Sequence, residues 1–105
     1  MYLRKYNLFL GQLWRCTNDG RLLNQNGISL FFNKKWKIPD IDQLGTIEDQ
    51  KSGKVLTLTS HRTVDLIDKD FVINEDHRKW KRTKQDANGW FRLNIRFDYT
   101  CNRFL

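Results

Sequence analysis

His61 and His77 are the two histidines of this 105-residue chain, and Asp65, Asp68, Asp70, Glu75 and Asp76 crowd the same region. An imidazole beside a carboxylate can serve as a general base, so acid–base chemistry would sit here if the chain carried any. The signatures that usually accompany such chemistry are missing from the sequence. It has no Gly-x-Ser-x-Gly, no phosphate-binding loop and no metal motif, and Ser29, Ser52 and Ser60 fall in ordinary strand or turn contexts. Cys16 and Cys101 stand near opposite ends with no Cys-x-x-Cys spacing, which argues against zinc, and one long-range pair is far below the density of a disulfide scaffold. The expectation is therefore a protein that binds and does not catalyse, with no cofactor and no metal.

Binding chemistry is better represented. Nineteen Lys and Arg against twelve Asp and Glu give a net charge of +7 and a pI near 9.7, a balance that attracts phosphate, acidic lipid or acidic protein without choosing among them. The densest basic cluster is Arg78-Lys79-Trp80-Lys81-Arg82-Thr83-Lys84, five cations around one indole. Such a cluster would bind nucleic acid or an acidic membrane surface with an affinity that falls steeply with salt. Glu75, Asp76 and Asp86 lie close enough in sequence to neutralise part of it.

Trp36 sits among Lys34, Lys35 and Lys37 and admits two readings. Its indole could be a stacking platform for a base or a sugar ring, or it could point inward while strand alternation turns its neighbours to solvent. Trp80 has the same frame of Lys79 and Lys81, and that repetition favours a scaffold role.

The elements that would carry these residues are short and extended. Hydrophobic residues make up 39% and aromatic ones 13%, with four Trp and seven Phe, so the core is expected to be built from a few large rings in a single domain over residues 1–105. The clearest unit is Gly45–Leu58: Ile47 opens a strand, Ser52-Gly53 turns the chain, and Val55-Leu56-Thr57-Leu58 returns it. A weaker copy runs from Gly20 to Leu30, and a third begins at Gly89-Trp90-Phe91-Arg92-Leu93 and leads to Asn102–Leu105. A tryptophan precedes each copy: Trp14 six residues before Gly20, and Trp36 and Trp80 nine residues before Gly45 and Gly89.

Between these units the sequence predicts two short strands within residues 2–16, a tight turn at Thr17-Asn18-Asp19-Gly20 and a hairpin over 21–32. Short strands follow at Val64–Ile67 and Phe71–Ile73, with loop and strand over 74–84. The strand Trp90–Tyr99 shows Phe91, Leu93, Ile95, Phe97 and Tyr99 on one face and Arg92, Asn94, Arg96 and Asp98 on the other, the pattern of a sheet covered on one side. No stretch carries the apolar period of a long helix. No apolar run has transmembrane length, and Tyr2–Leu10 is too short and too broken by Arg4, Lys5 and Asn7 for a signal peptide, so an intracellular protein is expected.

Gln12-Leu13-Trp14 matches the Gln-x-Trp signature of ricin-B-type lectin repeats, and the order that follows each tryptophan, glycine, aliphatic, polar turn, glycine, aliphatic, resembles the same repeat. The resemblance covers most of the chain. Lys34-Lys35-Trp36 and Arg78-Lys79-Trp80 keep the tryptophan but not the glutamine. It implies an all-β, β-trefoil-like fold of short antiparallel strands and hairpins in two to three repeats, acting as a non-catalytic binding module, commonly for carbohydrate. The length further suggests a shortened form or part of a larger protein with other domains.

Sugar-binding members use an aspartate after the hairpin's last aliphatic residue and an Asn-Gln pair before x-Trp. Here Thr57 and Thr59 stand near the first position, and Gly11-Gln12 and His77-Arg78 at the second. Glycan candidates are therefore Trp36, Asn24, Gln25 and the loop Asp65–Asp70, with Asp65 and Asp68 foremost. In the polyanion alternative the candidates are Arg78, Lys79, Lys81, Arg82 and Lys84, with a protein partner as a further option.

Overall fold

A computed structural model describes residues 6–7, 12–31, 34–59, 63–72 and 74–95. Over these residues the chain is all-β, with no α-helix and one 3-10 turn, Glu75–Arg78. The strands are β1 (Tyr6–Asn7), β2 (Trp14–Cys16), β3 (Leu22–Asn24), β4 (Trp36–Lys37), β5 (Leu44–Gly45), β6 (Glu48–Asp49), β7 (Val55–Leu58), β8 (Thr63–Ile67), β9 (Trp80–Arg82) and β10 (Leu93–Ile95). They form three antiparallel sheets: β1-β8-β7-β6-β4, β10-β9-β5, and the pair β2-β3. Such short strands gain little from their own ladders, and the contacts between repeats must hold them.

Those contacts close a ring. The backbone N–H of Trp36 donates to Gly20 O at 2.8 Å, joining the second unit to the first. Trp80 pairs with Gly45, joining the third to the second. Trp14 and Phe91 exchange both backbone hydrogen bonds, at 2.8 and 3.0 Å, joining the first to the third. Each tryptophan strand thus crosses the glycine segment of another unit. At Gly20 the crossing is tight: φ is +96°, and an added Cβ would stand 3.2 Å from the Gln50 amide nitrogen and 3.6 Å from Lys35 Cβ. Glycine tolerates both the backbone angle and the approach.

Inside the ring lie Trp14, Trp36 and Trp80, exposed by 0, 3 and 0%, together with Leu22, Ile47 and Phe91 from equivalent places in the three units. Alternation explains the selection. Trp36 is buried while Lys35 and Lys37 are exposed, and Phe91, Leu93 and Ile95 are buried while Arg92 and Asn94 are exposed. Trp36 is accordingly a core residue, edge-on to Phe31 with centroids 6.0 Å apart, and its face is not offered to a ligand.

Turns that connect the strands share one device. Asn24 Oδ1 accepts from the N–H groups of Asn26 and Ile28, and Asp86 Oδ1 from those of Asn88 and Trp90, all at 2.8–3.0 Å. Thr17 Oγ1 accepts from Arg21 N–H at 2.9 Å in the same way. Each side chain occupies the polar backbone of a three-residue loop closed by a glycine, so the hairpin ends are held without neighbours.

The segment Phe71–Ile73 departs from expectation. Phe71 and Val72 are not in a strand and are 61 and 46% exposed, while Ile73 lies outside the described residues. Asp68 starts a turn, with Phe71 N–H donating to Asp68 O, and that turn ends the ladder of β8 before Phe71 can join one. Residues 96–99 of the last predicted strand, and Asn102–Leu105 of the third copy, also lie outside the described residues.

Among the core indoles, Trp80 donates its Nε1–H to Leu56 O at 3.0 Å, whereas the Nε1 of Trp36 is buried without an acceptor. A buried hydrogen bond stabilises and a buried unmet donor does not. Replacing Trp80 by Phe is therefore expected to cost about 1–3 kcal/mol beyond the change in packing, while Trp36→Phe should cost less. Urea unfolding of the two variants makes the comparison; equal losses would show that the Trp80 bond contributes nothing net.

Candidate functional site

Two surface depressions collect the polar residues that the sequence singled out. The first is a groove of about 450 Å³ between the turn after β6 and the turn after β8, walled by Ser52 and Lys54 on one side and by Asp68, Lys69, Asp70 and Phe71 on the other. Phe71 projects an apolar ring into solvent beside two exposed carboxylates, a combination that burial statistics make informative because large exposed apolar groups concentrate at contact sites.

Both walls of the groove are braced from behind. Asp49, 2% exposed, starts the β6–β7 turn: its Oδ2 accepts from Ser52 Oγ at 2.7 Å and from Lys34 Nζ at 3.2 Å, and its Oδ1 from Lys51 N–H at 3.3 Å. This loop is one residue longer than those at Asn24 and Asp86. Asp49 N–H reaches Lys54 O, whereas Asn24 and Asp86 close on the residue four positions on. Burial pushes the Asp49 carboxyl pKa up, but the hydrogen bonds from Ser52, Lys34 and the Lys51 backbone, with the Lys34 charge, outweigh it and hold the group below the ordinary carboxylate range.

The opposite wall rests on Arg78. Its Nη1 donates to Lys69 O at 2.6 Å, and its Nε and Nη2 engage both oxygens of Glu75 at 3.2 Å. Hydrogen bonds from Arg78 lower the Glu75 pKa, with Lys79 adding to them. Asn74 caps the 3-10 turn by accepting from Asp76 N–H at 3.0 Å, which places Glu75 and Arg78 on the side of the Asp68–Asp70 loop.

The second depression is a cleft of about 340 Å³ where the first and third units meet, lined by Gln12, Leu13, Asn24, Gln25, Asn26 and Arg92. Asn24 spends its oxygen on the turn and donates its Nδ2 to Gln12 Oε1 at 3.2 Å. Trp14 pairing with Phe91 sets Leu13 beside Arg92 on the outer face and lays the Arg15 guanidinium 4.7 Å over the Trp90 ring.

Of the residues read as glycan candidates, Asn24 and Gln25 come together in this cleft, Asp68 lies in the groove, and Trp36 is enclosed in the core. Asp65 lines neither; it sits in β8, where its Oδ1 accepts from Leu66 N–H at 2.8 Å. His77 is in the 3-10 turn with its Nε2 3.4 Å from the Asn74 amide nitrogen, while His61 and Cys101 lie outside the described residues.

Four of the five residues read as a polyanion surface have other engagements. Arg78 is 14% exposed and tied to Glu75 and Lys69 O. Arg82 donates to Pro39 O at 3.2 Å and to Gln85 Oε1 at 2.7 Å, and its guanidinium lies 4.4 Å over the buried Phe91 ring. Lys79 pairs with Glu75 at 3.4 Å and Lys81 with Asp42 at 3.3 Å. Lys84 is exposed. The two lysine pairs are weak surface contacts that could be exchanged for a ligand, whereas the two arginines are structural ties.

Phe71 and Asp49 were not among the candidates. Phe71 was masked by reading the apolar run Phe71–Ile73 as strand. Asp49 had a usable signal: an acid opening a polar run that ends at Gly53, parallel to Asn24 before Gly27.

Among the described residues no group of three His, Cys, Asp or Glu could hold a metal ion, and no helix is long and apolar enough to cross a membrane. Comparison with family models, curated proteins and solved structures returns no match.

Asp49 yields a pH dependence of defined sign. Its folded pKa is depressed, so its contribution to stability is present above the unfolded carboxylate value, about 3.9, and is lost as pH falls through the folded value. Asp49→Asn should lower stability at neutral pH by about 1–3 kcal/mol and flatten the loss below about pH 4. Denaturant titrations at several pH values, followed by tryptophan fluorescence, test this; a variant with the parent's acid profile would show that Asp49 is not the group responsible.

Proposed function

We propose that this protein is a non-catalytic glycan-binding module of the ricin-B β-trefoil type, with its sugar site in the groove between Ser52–Lys54 and Asp68–Phe71. The trefoil part of the reading is supported by the closed ring in which each tryptophan strand meets the glycine segment of another unit, with Leu22, Ile47 and Phe91 buried at matching places. The glycan part is carried by Phe71, whose 61% exposed ring stands beside Asp68 and Asp70.

A pyranose has an apolar face of C–H groups and an equator of hydroxyls. An exposed ring can take the first by dispersion, and carboxylates and the Ser52 hydroxyl can take the second by charge-assisted and neutral hydrogen bonds. Bracing by Asp49 and Arg78 means that little order would be lost on binding. Polyanion binding at residues 78–84 has less support, because Arg78 and Arg82 are committed to internal acceptors.

Titration calorimetry against a panel of neutral oligosaccharides is the test. The parent should bind at least one sugar with little dependence on salt, and Phe71→Ala should weaken it about tenfold or more while leaving the unfolding midpoint within error, since the ring is exposed. Asp68→Asn should weaken binding in the same direction. A silent panel, or full binding by Phe71→Ala, would defeat the assignment; binding to nucleic acid or acidic vesicles that collapses with salt would replace it with the polyanion reading.

A further inference from the structure

We infer that the groove between Ser52–Lys54 and Asp68–Phe71 selects a sugar carrying a protonated amine, of the amino-deoxyhexose class, over the same sugar with a hydroxyl or an acetamide in that place. The inference deepens the glycan reading of this groove and rests on it.

On the Asp68–Phe71 wall, and at Ser52 facing it, the open groups are acceptors. Phe71 N–H donates to Asp68 O at 3.0 Å, so one tight turn sets both carboxylates and the ring on the same wall. Among the described residues the side chains of Asp68 and Asp70 have no hydrogen-bond or ion-pair partner, and both residues are exposed. Ser52 Oγ donates its proton to Asp49 Oδ2 at 2.7 Å and accepts Lys54 N–H at 3.2 Å, so what it has left for a ligand is a lone pair. A neutral hydroxyl offers one hydrogen to such a set. An ammonium offers three, each charge-assisted toward a carboxylate, and its charge is attracted to the face of an aromatic ring such as the 61% exposed Phe71.

The cations around the groove are paired or stand apart from these acceptors. Lys69 Nζ lies 3.6 Å from Glu48 Oε2, and Arg78, behind the wall, is tied to both oxygens of Glu75. Lys54 keeps its ammonium on the opposite wall, where it can donate to a ring or hydroxyl oxygen of the sugar. Walls of unlike charge orient the ligand, with its amine toward Asp68 and Asp70 and an oxygen toward Lys54. The net charge of +7 opposes the approach of any cation, so a preference for an amine has to come from the groove itself.

The test is titration calorimetry on the full chain at about pH 6, below the ordinary range of an amine and above that of a carboxylate. Oligomers of glucose, N-acetylglucosamine and glucosamine, matched in linkage and length, present a hydroxyl, an acetamide and an ammonium on one framework. The amine set should bind at least about tenfold tighter than either neutral set, the size that one charge-assisted hydrogen bond supplies. Replacing both carboxylates together, Asp68→Asn with Asp70→Asn, should bring the three sets level without moving the unfolding midpoint, because neither side chain is tied to the rest of the fold. Phe71→Ala should weaken all three sets, and a linear polyamine should fail to displace the amino sugar.

Equal binding of the three sets, a preference for the acetamide, or an amine preference that survives the double substitution would each overturn the inference. Displacement by the polyamine would overturn it too, by showing that the groove takes amines and not sugars. If neutral sugars bind in a Phe71-dependent way with no gain for the amine, the glycan reading stands and this selectivity falls. If no sugar of any kind binds, both fall.

Discussion

The crossing of each tryptophan strand over the glycine segment of another unit is the contact on which the rest of the structure depends. Strands of two to five residues cannot persist alone, and the ladders inside each unit are too short to hold it. The crossings turn three weak hairpins into a closed set, in which breaking one joint loosens the other two. They also decide where the large side chains go. A tryptophan whose backbone is paired to another unit has its ring directed at the shared interior, and Trp14, Trp36 and Trp80 fill that interior together. The glycine side of the crossing is equally constrained, since at Gly20 a side chain would press on Gln50 and Lys35.

A second rule governs the outside of the ring. Polar side chains at the start of the turns, Thr17, Asn24, Asp49 and Asp86, satisfy backbone N–H groups that would otherwise depend on water. Loop length decides what each can do beyond that. In the three shorter loops the acceptor stays near the surface. In the longer loop at Asp49 the carboxylate is buried and recruits Lys34 and Ser52, so one inserted residue converts a turn acceptor into the anchor of a groove wall.

The large positive charge of the chain is distributed rather than concentrated. Arg78 and Arg82 act as braces, one holding the loop that carries Asp68 and Asp70, the other covering Phe91 and linking Pro39 to Gln85. Their charges still contribute to the long-range field, which weakens slowly with distance, but their donors are held by internal acceptors.

Much of the fold was legible in the residue order, because the signals involved are local. Alternation around Trp36 and along Phe91–Ile95 identified their inward faces, and the sequence Gly45–Leu58 marked its own hairpin. The repeated tryptophan-to-glycine spacing pointed to repeated units. Less of the candidate site was legible. Whether Phe71 lies in a strand or stands in solvent depends on a turn at Asp68, and a short apolar run carries no trace of that choice. Whether Arg78 is a ligand or a brace depends on Glu75 and on the carbonyl of Lys69, nine positions away. Asn24 and Arg92 share a cleft only because Trp14 pairs with Phe91 from the far end of the chain. Sequence alone determined which faces are apolar and where the chain turns, since those follow from side-chain period and backbone preference within a few residues. Tertiary structure alone decided which polar groups meet and which remain open to a ligand, since that follows from contacts between segments that no local pattern records.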